Sequence, residues 1–451
     1  MTGKLLKAAL AAVLLLQAVF GAACGGGDGE KGRDLSVLLV IIDTMRADRL
    51  GTSGYPRDLT PTLDSLSASG TLFTHAQSQS SWTLPAVASI LTGLTPRQHG
   101  AVRTGATTCG LAPGLPTLHG MLHGGGWETG GFFNVLFLNE DFGFHRGFDH
   151  FDCEGVTNRL SLRNAATTVD AAIAWLDGLE PDSRFLAVVH FYDPHIPYAP
   201  PPPFDTLYTD PSYSGSCGPE WGNVMQLNSV NDGDSTIAAE GLENLEALYD
   251  GEIAFTDQET GRLLAWLRSS GLADSTIVVV VSDHGEEFME HSGIEHGRTF
   301  YEEITAIPLI FSGPGIPEGV VIAEPVSQID IVPTVLAMLS LPVETGQQGR
   351  DLFGPSGVPA DIHASNLLWC AVQEVSVLRG SLKLIWVTDG SDGELFDLAA
   401  DPMERNPLTD VDPSMVEAAE FYWSTPPLFT PPVVPFEESM DRQLRDLGYI
   451  R

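Results

Sequence analysis

Acidic and imidazole side chains follow three strongly apolar segments of the chain. "SVLLVII" leads into Asp43, and "FLAVVHF" leads into Asp193 and His195. "STIVVVVS" leads into Asp283 and His284. One aspartate at a strand end is an ordinary turn residue, but carboxylates and imidazoles after three strands form a ligand set suited to a divalent cation. We therefore predict a metal site at the carboxyl ends of these strands, where open α/β sheets bind ligands.

A hydroxyl side chain lies near the start of "SQSSWTLPAVASILTG" (78–93). The pattern predicts a helix with Ser81 or Thr83 near its N-cap, Pro85 in the first turn and Gly93 beyond its end. Taken alone, such a hydroxyl is most simply a cap. The positive end of a helix also attracts anions. Thr83 is therefore a candidate nucleophile for a phosphate or sulfate group, provided that a dication stabilises its alkoxide.

Short β-branched segments alternate with amphipathic segments over most of the chain. The β-branched segments suit strands buried on both faces of a largely parallel sheet, and they cover residues 36–42, 185–191, 275–282 and 307–311. Amphipathic helices are predicted at 60–70, 165–180 and 247–271. The expected fold is α/β: a large mixed, mostly parallel sheet flanked by helices.

The pattern changes near residue 361, where shorter β-like segments begin. They predict a small C-terminal α+β subdomain with an antiparallel sheet. The catalytic domain is accordingly expected to cover residues 35–360, and the subdomain with its tail 361–451.

The composition restricts the partners. The 451 residues carry 23 Lys+Arg against 59 Asp+Glu, a net charge of −36. A nucleic acid would be repelled by this charge, and no protein partner is predicted. A small anionic substrate would need local positive charge, which a metal or a histidine cluster can supply.

The first residues have the features of an export signal. Lys4 and Lys7 precede an apolar stretch that ends in small residues before Cys24, as in a secretory signal peptide covering 1–23. Small residues before a cysteine resemble a bacterial lipobox, so lipid modification of Cys24 is predicted, with simple cleavage or a retained anchor as alternatives. Residues 24–34 are glycine-rich and predict a flexible tether. The protein is expected in the periplasm or on the outer cell surface, held at the membrane by this lipid.

Four cysteines follow the tether, and their spacing is not that of a zinc finger. An oxidising compartment would permit two disulfides with three possible connectivities. The residues are Cys109, Cys153, Cys217 and Cys370.

Several long motifs resemble the sulfatase family of the alkaline phosphatase superfamily. They include "LLVIIDTMRADRLGTSGYPRDLTPTLDSL", "SSWTLPAVASILTGLTPRQHG", "VVHFYDPHIPY", "VVVVSDHGEEFMEHSGIEHGRTFYEE" and "ELFDLAADPMERNP", in the family's order. The resemblance implies an alkaline-phosphatase-like fold. It also implies that Asp43, Asp283 and His284 bind the metal and that Thr83 is both a metal ligand and the nucleophile.

The resemblance also implies residues that contact the substrate. His195 matches a histidine that contacts the anionic group or the leaving oxygen, and His296 lies near a position of basic residues, with Arg298 as a second candidate. Asn134 lies where a substrate-binding lysine often stands. His195 or His296 is expected to protonate the leaving oxygen.

One departure from the family pattern decides the expected chemistry. Sulfatases that use formylglycine make it from the Cys or Ser of a C/S-x-P-x-R signature, whereas this chain has threonine at 83 and valine at 87. A threonine cannot supply that aldehyde, so the formylglycine route is not expected. Threonine does serve as the nucleophile in phosphodiesterases and phosphoalcohol transferases of the superfamily.

The expected function is hydrolysis of a sulfate or phosphate-type ester through a covalent ester of Thr83. A threonine ester must be broken by attack at sulfur or phosphorus, which favours phosphate esters, phosphodiesters or phosphonates over sulfates. Two alternatives stay open: a phosphoalcohol transferase acting on envelope glycans, and a non-catalytic binding protein.

The metal and three further polar residues complete the predictions. One divalent ion is expected, with Zn²⁺ or Mn²⁺ favoured over Ca²⁺ or Mg²⁺ because an imidazole joins the carboxylates; a second metal stays open. His190, within an apolar strand, is interpreted as a satisfied core histidine. His291 is either a ligand of a second metal or a loop residue. Asp193 is expected to orient the turn around Pro194, with a second-metal role as the alternative.

Overall fold

The computed structural model describes most of the chain beyond the predicted export signal. The described residues are 34–104, 107–153, 163–343, 346–355, 361–365, 373–390 and 393–435. The predicted signal peptide (1–23), Cys24, the tether as far as residue 33, and Cys370 lie outside them. Among the described helices, none combines the length and the apolar character needed to cross a bilayer.

Strands and helices alternate along the described chain. The strands are β1 Ser36–Ile42, β2 Gly70–Gln77, β3 Arg103–Thr104, β4 Thr107–Thr108, β5 Glu128–Phe132, β6 His150–Asp152, β7 Phe185–Phe191, β8 Thr276–Ser282, β9 Glu287–Phe288, β10 Ile294–Glu295, β11 Ala306–Ser312, β12 Val320–Ile322, β13 Val326–Ser327, β14 Ile362–Ser365, β15 Glu374–Arg379, β16 Leu382–Val387 and β17 Glu394–Asp397. The helices are α1 Pro61–Ala68, α2 Thr83–Thr92, α3 Pro96–His99, α4 Leu118–Gly124, α5 Ala165–Asp177, α6 Val224–Asn231, α7 Ala239–Ser269, α8 Glu302–Thr305, α9 Ile331–Met338 and α10 Pro413–Ser424.

The central sheet is mixed and mostly parallel, which confirms the predicted fold class. Its strand order is β12-β2-β11-β8-β1-β7-β5-β6, and β13 also pairs with β2. Strand β1 lies parallel to both β7 and β8, whereas β11 is antiparallel to β8 and β2. The carboxyl ends of β1, β7 and β8 therefore meet at one edge of the sheet.

The apolar strands are buried on both faces, which explains their continuous hydrophobic sequence. In β1, Leu39 and Ile41 pack into the core on one face of the sheet, and Val40 and Ile42 pack into the core on the other. Each such side chain contributes roughly 1.5–3 kcal/mol by leaving water. The sheet is therefore a rigid base for the loops that follow these strands.

Helix α2 carries the predicted nucleophile and is buried on every side. It ends as predicted, because Gly93 adopts the left-handed conformation (φ 68°) that terminates a helix. The helix also starts where predicted, with Ser81 and Thr83 next to the N-cap position, but neither residue is the cap itself. Trp82 occupies the N-cap position without a side-chain cap, and Thr83 is the first helical residue. The hydroxyl of Thr83 is consequently available for contacts outside the helix.

The predicted C-terminal subdomain is an antiparallel sheet, β14-β15-β16-β17, covered by α10. Strand β14 contacts the loop that precedes α2. The Ser365 amide donates to the carbonyl of Gln79 (3.1 Å), and the Ser80 hydroxyl donates to the carbonyl of Ser365 (3.0 Å). The small sheet thus supports the backbone just before the predicted nucleophile.

After α10 the chain returns to the larger domain. Leu428 donates its amide to the carbonyl of Gln98 (2.8 Å), and Val434 donates to the carbonyl of Thr108 (2.9 Å). The segment 428–434, which we call the C-terminal strap, therefore lies along the catalytic domain.

The described cysteines form no disulfide with one another. Cys109, Cys153 and Cys217 carry free thiols, and Cys217 is buried in the apolar core. Structural roles as small apolar side chains fit these positions.

A buried lysine joins the two parts of the protein. Lys383 on β16 is fully buried, and its Nζ lies 2.8 Å from Glu302 and 3.1 Å from Glu404. Replacing Lys383 with methionine should lower the free energy of unfolding by about 3–5 kcal/mol, because buried carboxylates would lose their counter-ion. Urea denaturation measures this change. The matched control is Arg379→Met, which breaks the more exposed pair with Asp361 and should cost about 1 kcal/mol or less; equal losses in both variants would contradict the prediction.

Candidate active site at the carboxyl edge of the sheet

Neighbouring strands bring the predicted metal ligands together. Asp43 follows β1 directly and donates its amide to the carbonyl of Phe191 at the end of β7 (2.9 Å). The last residues of β1 and β8, Ile42 and Ser282, are paired in register, so Asp283 emerges beside Asp43. Asp43 and Asp283 are far apart in the sequence, but each offers a ligand atom within 4.8 Å of the other.

Four predicted residues form one buried cluster. The Nε2 atom of His284 lies 3.3 Å from Oδ2 of Asp283 and 3.8 Å from Oδ1 of Asp43. The hydroxyl of Thr83 lies 3.4 Å from the same Nε2 atom. All four residues are at most 1% exposed. The Nε2 atom of His284 is therefore within 4 Å of an oxygen atom from each of the other three residues.

Backbone amides orient the two ligands that follow β8. Asp283 Oδ1 accepts hydrogen bonds from the amides of Thr44 (3.1 Å) and His284 (2.8 Å), which leaves Oδ2 directed at the cluster. His284 donates its Nδ1–H to the carbonyl of Gly285 (2.9 Å), so its Nε2 atom carries the lone pair. Burial lowers the pKa of His284 to about 4, and the ring is therefore neutral.

Thr44 has a strained backbone beside the cluster. It is fully buried with φ of 53°, a left-handed conformation that is unfavourable for a β-branched residue. This strain places its amide against Asp283. Strained residues that are held by their surroundings concentrate at functional sites.

The electrostatics of the cluster fit a bound cation. Burial raises the pKa of Asp43 well above its usual value, and the carboxylates of Asp283 and Glu286 raise it further. Both carboxylate oxygens of Asp43, Oδ2 of Asp283 and Nε2 of His190 are buried without a hydrogen-bond partner. Buried polar atoms without partners are costly, and carboxylates with neutral imidazoles are donors suited to a dication. The residues present therefore fit the divalent metal that the sulfatase resemblance implies.

Two more predicted histidines border the cluster. The His296 ring lies 4.4 Å from the His284 ring and 4.8 Å from the His195 ring, between centroids. His296 Nδ1 is 2.9 Å from Oε1 of Glu286, and His195 Nδ1 is 2.6 Å from the carbonyl of Ile196. In both rings the Nδ1–H is directed at an oxygen acceptor, which fixes the ring orientation.

Polar side chains fix the loops that carry the cluster. The Ser78 hydroxyl donates to the carbonyl of Asp283 (2.6 Å). The amide nitrogen of Gln328 donates to the carbonyls of Ser282 (2.9 Å) and Asp283 (2.5 Å), while its oxygen accepts from the amide of Gln79 (2.9 Å). The strand end and the loop before Thr83 are thus held in fixed positions.

The other two predicted substrate-binding residues, Asn134 and Arg298, make contacts with protein groups. Asn134 is fully buried, with Oδ1 3.0 Å from His190 Nδ1 and Nδ2 donating to the carbonyl of Arg163 (2.9 Å). Both ends of its amide bind protein groups, and these contacts disfavour the predicted substrate contact of Asn134. Arg298 is partly exposed and pairs with Asp232 (3.6 Å). Among the described residues, the ion pair of Arg298 is with Asp232 and not with a residue of the cluster.

His190 is the buried strand histidine that the sequence predicts, but it is not fully satisfied. It is fully buried, but only Nδ1 is hydrogen-bonded; Nε2 lies 3.9 Å from Oδ2 of Asp43. His190, Asp43 and Asp283 each offer an atom within 4.8 Å of the others. His190 pairs with Ile41, two residues before Asp43. The sequence alone does not give this pairing of β1 with β7, so it could not predict that His190 lies near Asp43.

His291 is placed as a structural residue. Its Nδ1 lies 2.6 Å from Oε1 of Glu303, its Nε2 lies 3.1 Å from the carbonyl of Glu404, and its ring stacks on Tyr301. Of the two readings left open, these contacts favour the loop residue.

Asp193 should make stability depend on pH. Burial raises its pKa to about 7, whereas an unfolded aspartate titrates near 4. The stabilising contribution of the protonated carboxyl is therefore complete below about pH 4 and is lost as pH rises through 7, by at most about 4 kcal/mol. Asp193→Asn should raise the free energy of unfolding at pH 8 with little change at pH 4, measured by urea denaturation. The exposed Glu128→Gln should show no such pH-dependent gain, and a destabilised Asp193→Asn at pH 8 would refute the prediction.

The Thr83 hydroxyl, two buried carboxylates and the His284 imidazole thus lie together at the carboxyl edge of the central sheet. The chain belongs to the sulfatase family, whose model matches residues 36–341. Within that family it is a sulfatase-like ester hydrolase.

Individual relatives agree with this assignment. The chain is 25% identical over 447 residues to an arylsulfatase of Clostridium perfringens, covering 83% of this chain and 90% of that protein. It is 24% identical over 430 residues to a Δ4,5-hexuronate-2-O-sulfatase of Bacteroides thetaiotaomicron, covering 86% and 87%. The phosphonate monoester hydrolase of Agrobacterium radiobacter shares the fold, with a TM-score of 0.67, 21% identity and coverage of 87% and 95%.

Proposed function

We propose that this protein hydrolyses a sulfate or phosphate-type ester with Thr83 as the nucleophile. The observation that carries the proposal is the position of the Thr83 hydroxyl. It starts a buried helix without capping it, and it lies 3.4 Å from the Nε2 atom of a neutral His284 beside two buried carboxylates. A hydroxyl in such a position suits nucleophilic attack on an anionic group.

Asp43, Thr83, Asp283 and His284 are proposed to hold one divalent cation. The unpartnered carboxylate oxygens support this assignment, and the imidazole nitrogen favours Zn²⁺ or Mn²⁺ over Ca²⁺ or Mg²⁺. When bound, the cation would offset negative charge on the transferred group and favour the ionised hydroxyl of Thr83.

The reaction is proposed to proceed in two displacements. In the first, the ionised Oγ1 of Thr83 forms a bond to sulfur or phosphorus as the bond to the leaving oxygen breaks, and protonated His195 or His296 gives that oxygen its proton. In the second, the same histidine, now neutral, takes a proton from a water molecule, whose oxygen bonds to the sulfur or phosphorus as the bond to Oγ1 breaks and Thr83 leaves as its ionised hydroxyl. The helix N-terminus offsets charge on the equatorial oxygens in both steps.

The nature of the threonine ester favours phosphorus over sulfur. A formylglycine ester can expel sulfate by elimination, whereas the ester of Thr83 must be broken by attack at sulfur or phosphorus. Relatives of this chain include named sulfatases and a phosphonate monoester hydrolase. We therefore propose a phosphate ester, phosphodiester or phosphonate as the preferred substrate, with a sulfate ester as the second candidate.

A substrate and metal matrix tests this proposal. The purified protein is stripped with a chelator and reloaded with Zn²⁺, Mn²⁺, Mg²⁺ or Ca²⁺, and aryl phosphate, aryl phosphodiester, aryl phosphonate and aryl sulfate are offered separately. We expect release of the aryl alcohol from a phosphorus ester with Zn²⁺ or Mn²⁺. Turnover of the sulfate alone would refute the preference for phosphorus.

The same assay separates the two alternative functions. An extracytoplasmic phosphoalcohol transferase would release little product until a glycan acceptor was added, and would then transfer the phosphoalcohol to it. A binding protein would hydrolyse nothing under any metal. Export and lipid modification of Cys24 remain part of the proposal, and mass spectrometry of the mature N-terminus tests them.

A further inference from the structure

The two ring nitrogens of His190 have different surroundings. His190 lies in β7, where it is fully buried and paired with Ile41 of β1. Its Nδ1 atom is 3.0 Å from Oδ1 of Asn134, whereas its Nε2 atom has no hydrogen-bond partner and faces Asp43 Oδ2 at 3.9 Å. A buried imidazole nitrogen without a partner requires an explanation.

The orientation of Asn134 determines which nitrogen of His190 carries the proton. Asn134 Nδ2 donates to the carbonyl of Arg163 (2.9 Å), so Oδ1 is the atom that faces His190. An amide oxygen only accepts, and His190 Nδ1 must therefore donate. A neutral imidazole has one donor and one acceptor, which leaves a lone pair on Nε2 directed toward Asp43.

The position of His190 relative to the two aspartates suits a shared ion, because Asp43, His190 and Asp283 each offer an atom within 4.8 Å of the others. Ligand atoms at about 2.0–2.2 Å from one ion lie at most about 4.4 Å apart, and the 3.9 Å separation of His190 Nε2 from Asp43 Oδ2 is within this range. The other carboxylate oxygen of Asp43 lies 3.8 Å from His284 Nε2. The Asp43 carboxylate is thus bordered by one imidazole on each oxygen.

We propose that His190 is an additional metal ligand and that Asn134, fixed by the Arg163 carbonyl, is the residue that positions it. The inference rests on the proposed function for the presence of a cation and adds a second imidazole to the ligand set. A hydrogen bond that orients a ligating imidazole is typical of zinc sites. Two nitrogen donors direct the site toward Zn²⁺ or Mn²⁺ and away from Ca²⁺.

The number of imidazole groups that bind the metal can be measured in the wild-type protein, without any mutation. X-ray absorption spectroscopy of the zinc-loaded protein should show two imidazole ligands, from His190 and His284. The variant His190→Gln should show one. A single imidazole in the wild-type protein would overturn the proposal, even where the variant does not fold.

Zinc affinity provides a second test. Competition with a chromophoric chelator should give a dissociation constant about 10–100-fold higher for Asn134→Leu than for the wild type, because the orienting acceptor is lost. Asn134→Asp keeps an acceptor and should bind zinc more tightly than Asn134→Leu. Wild-type affinity in Asn134→Leu would overturn the proposal.

A buried histidine elsewhere serves as the matched control. His99 is fully buried and is hydrogen-bonded to Ser89 and Ala101, and His99→Gln should leave the imidazole count and the zinc affinity unchanged. An equal loss of affinity in His99→Gln would show a general effect of buried histidine replacement and overturn the proposal.

X-ray absorption spectroscopy and chelator competition both measure metal binding, so their results do not depend on turnover. Two imidazoles in a protein that hydrolyses none of the esters would support His190 as a ligand and count against the proposed function. One imidazole in an active hydrolase would do the reverse.

Discussion

Thr83→Ala is expected to lower the turnover number by about 10³- to 10⁶-fold, because the reaction would lose its nucleophile. The Thr83 hydroxyl lies 3.4 Å from His284 Nε2, and alanine removes this hydroxyl while it remains compatible with the start of helix α2. Steady-state kinetics on the best ester from the substrate matrix measure the loss.

Two controls separate chemistry from folding. Thr83→Ser keeps the hydroxyl and should retain far more activity than Thr83→Ala. Thr92 lies at the other end of the same helix, where its hydroxyl donates to the carbonyl of Ala88 (2.6 Å), and Thr92→Ala should leave the turnover number near that of the wild type. Wild-type turnover in Thr83→Ala would rule out the proposed nucleophile.

Asp43→Asn is expected to have opposite effects on activity and on metal-free stability. Turnover should fall by about 10³-fold or more, since several kcal/mol of charge stabilisation would be lost with the metal. In the presence of a chelator, the free energy of unfolding should rise by about 1 kcal/mol or more, because burial and the neighbouring Asp283 disfavour the charged carboxylate.

Kinetics and urea denaturation in a chelator at pH 8 test both effects of Asp43→Asn. Asp274 is an exposed aspartate that precedes β8, and Asp274→Asn should change neither quantity. An Asp43→Asn protein that is less stable than the wild type without metal would show that the carboxylate stabilises the empty fold.

The sequence predicts the sheet well because its strands are buried on both faces. Segments such as "SVLLVII" have no polar alternation, and the structure makes them β1, β7 and β8. Their parallel arrangement then determines that Asp43 and Asp283 emerge at the same edge. The expectation that these residues and His284 lie together therefore follows from local pattern and topology.

Contacts between distant side chains are less visible in the sequence. His190 has the same pattern as a core histidine, and only the position of Asn134 and the register with β1 reveal its unpartnered nitrogen. The N-terminus of α2 shows a related limit. A threonine near a helix start is usually a cap, but here Trp82 occupies the N-cap position and Thr83 is the first helical residue.

The C-terminal strap has a consequence for how the chain can be shortened. Because 428–434 supplies backbone partners to residues 98–110, deleting everything after α10 would expose amides and carbonyls of the larger domain to solvent. Deleting the small sheet as well would remove the Ser365 contacts beneath the loop before Thr83. The catalytic unit therefore extends to residue 434 at least, and a protease cut after α10 should weaken the larger domain and not release an intact one.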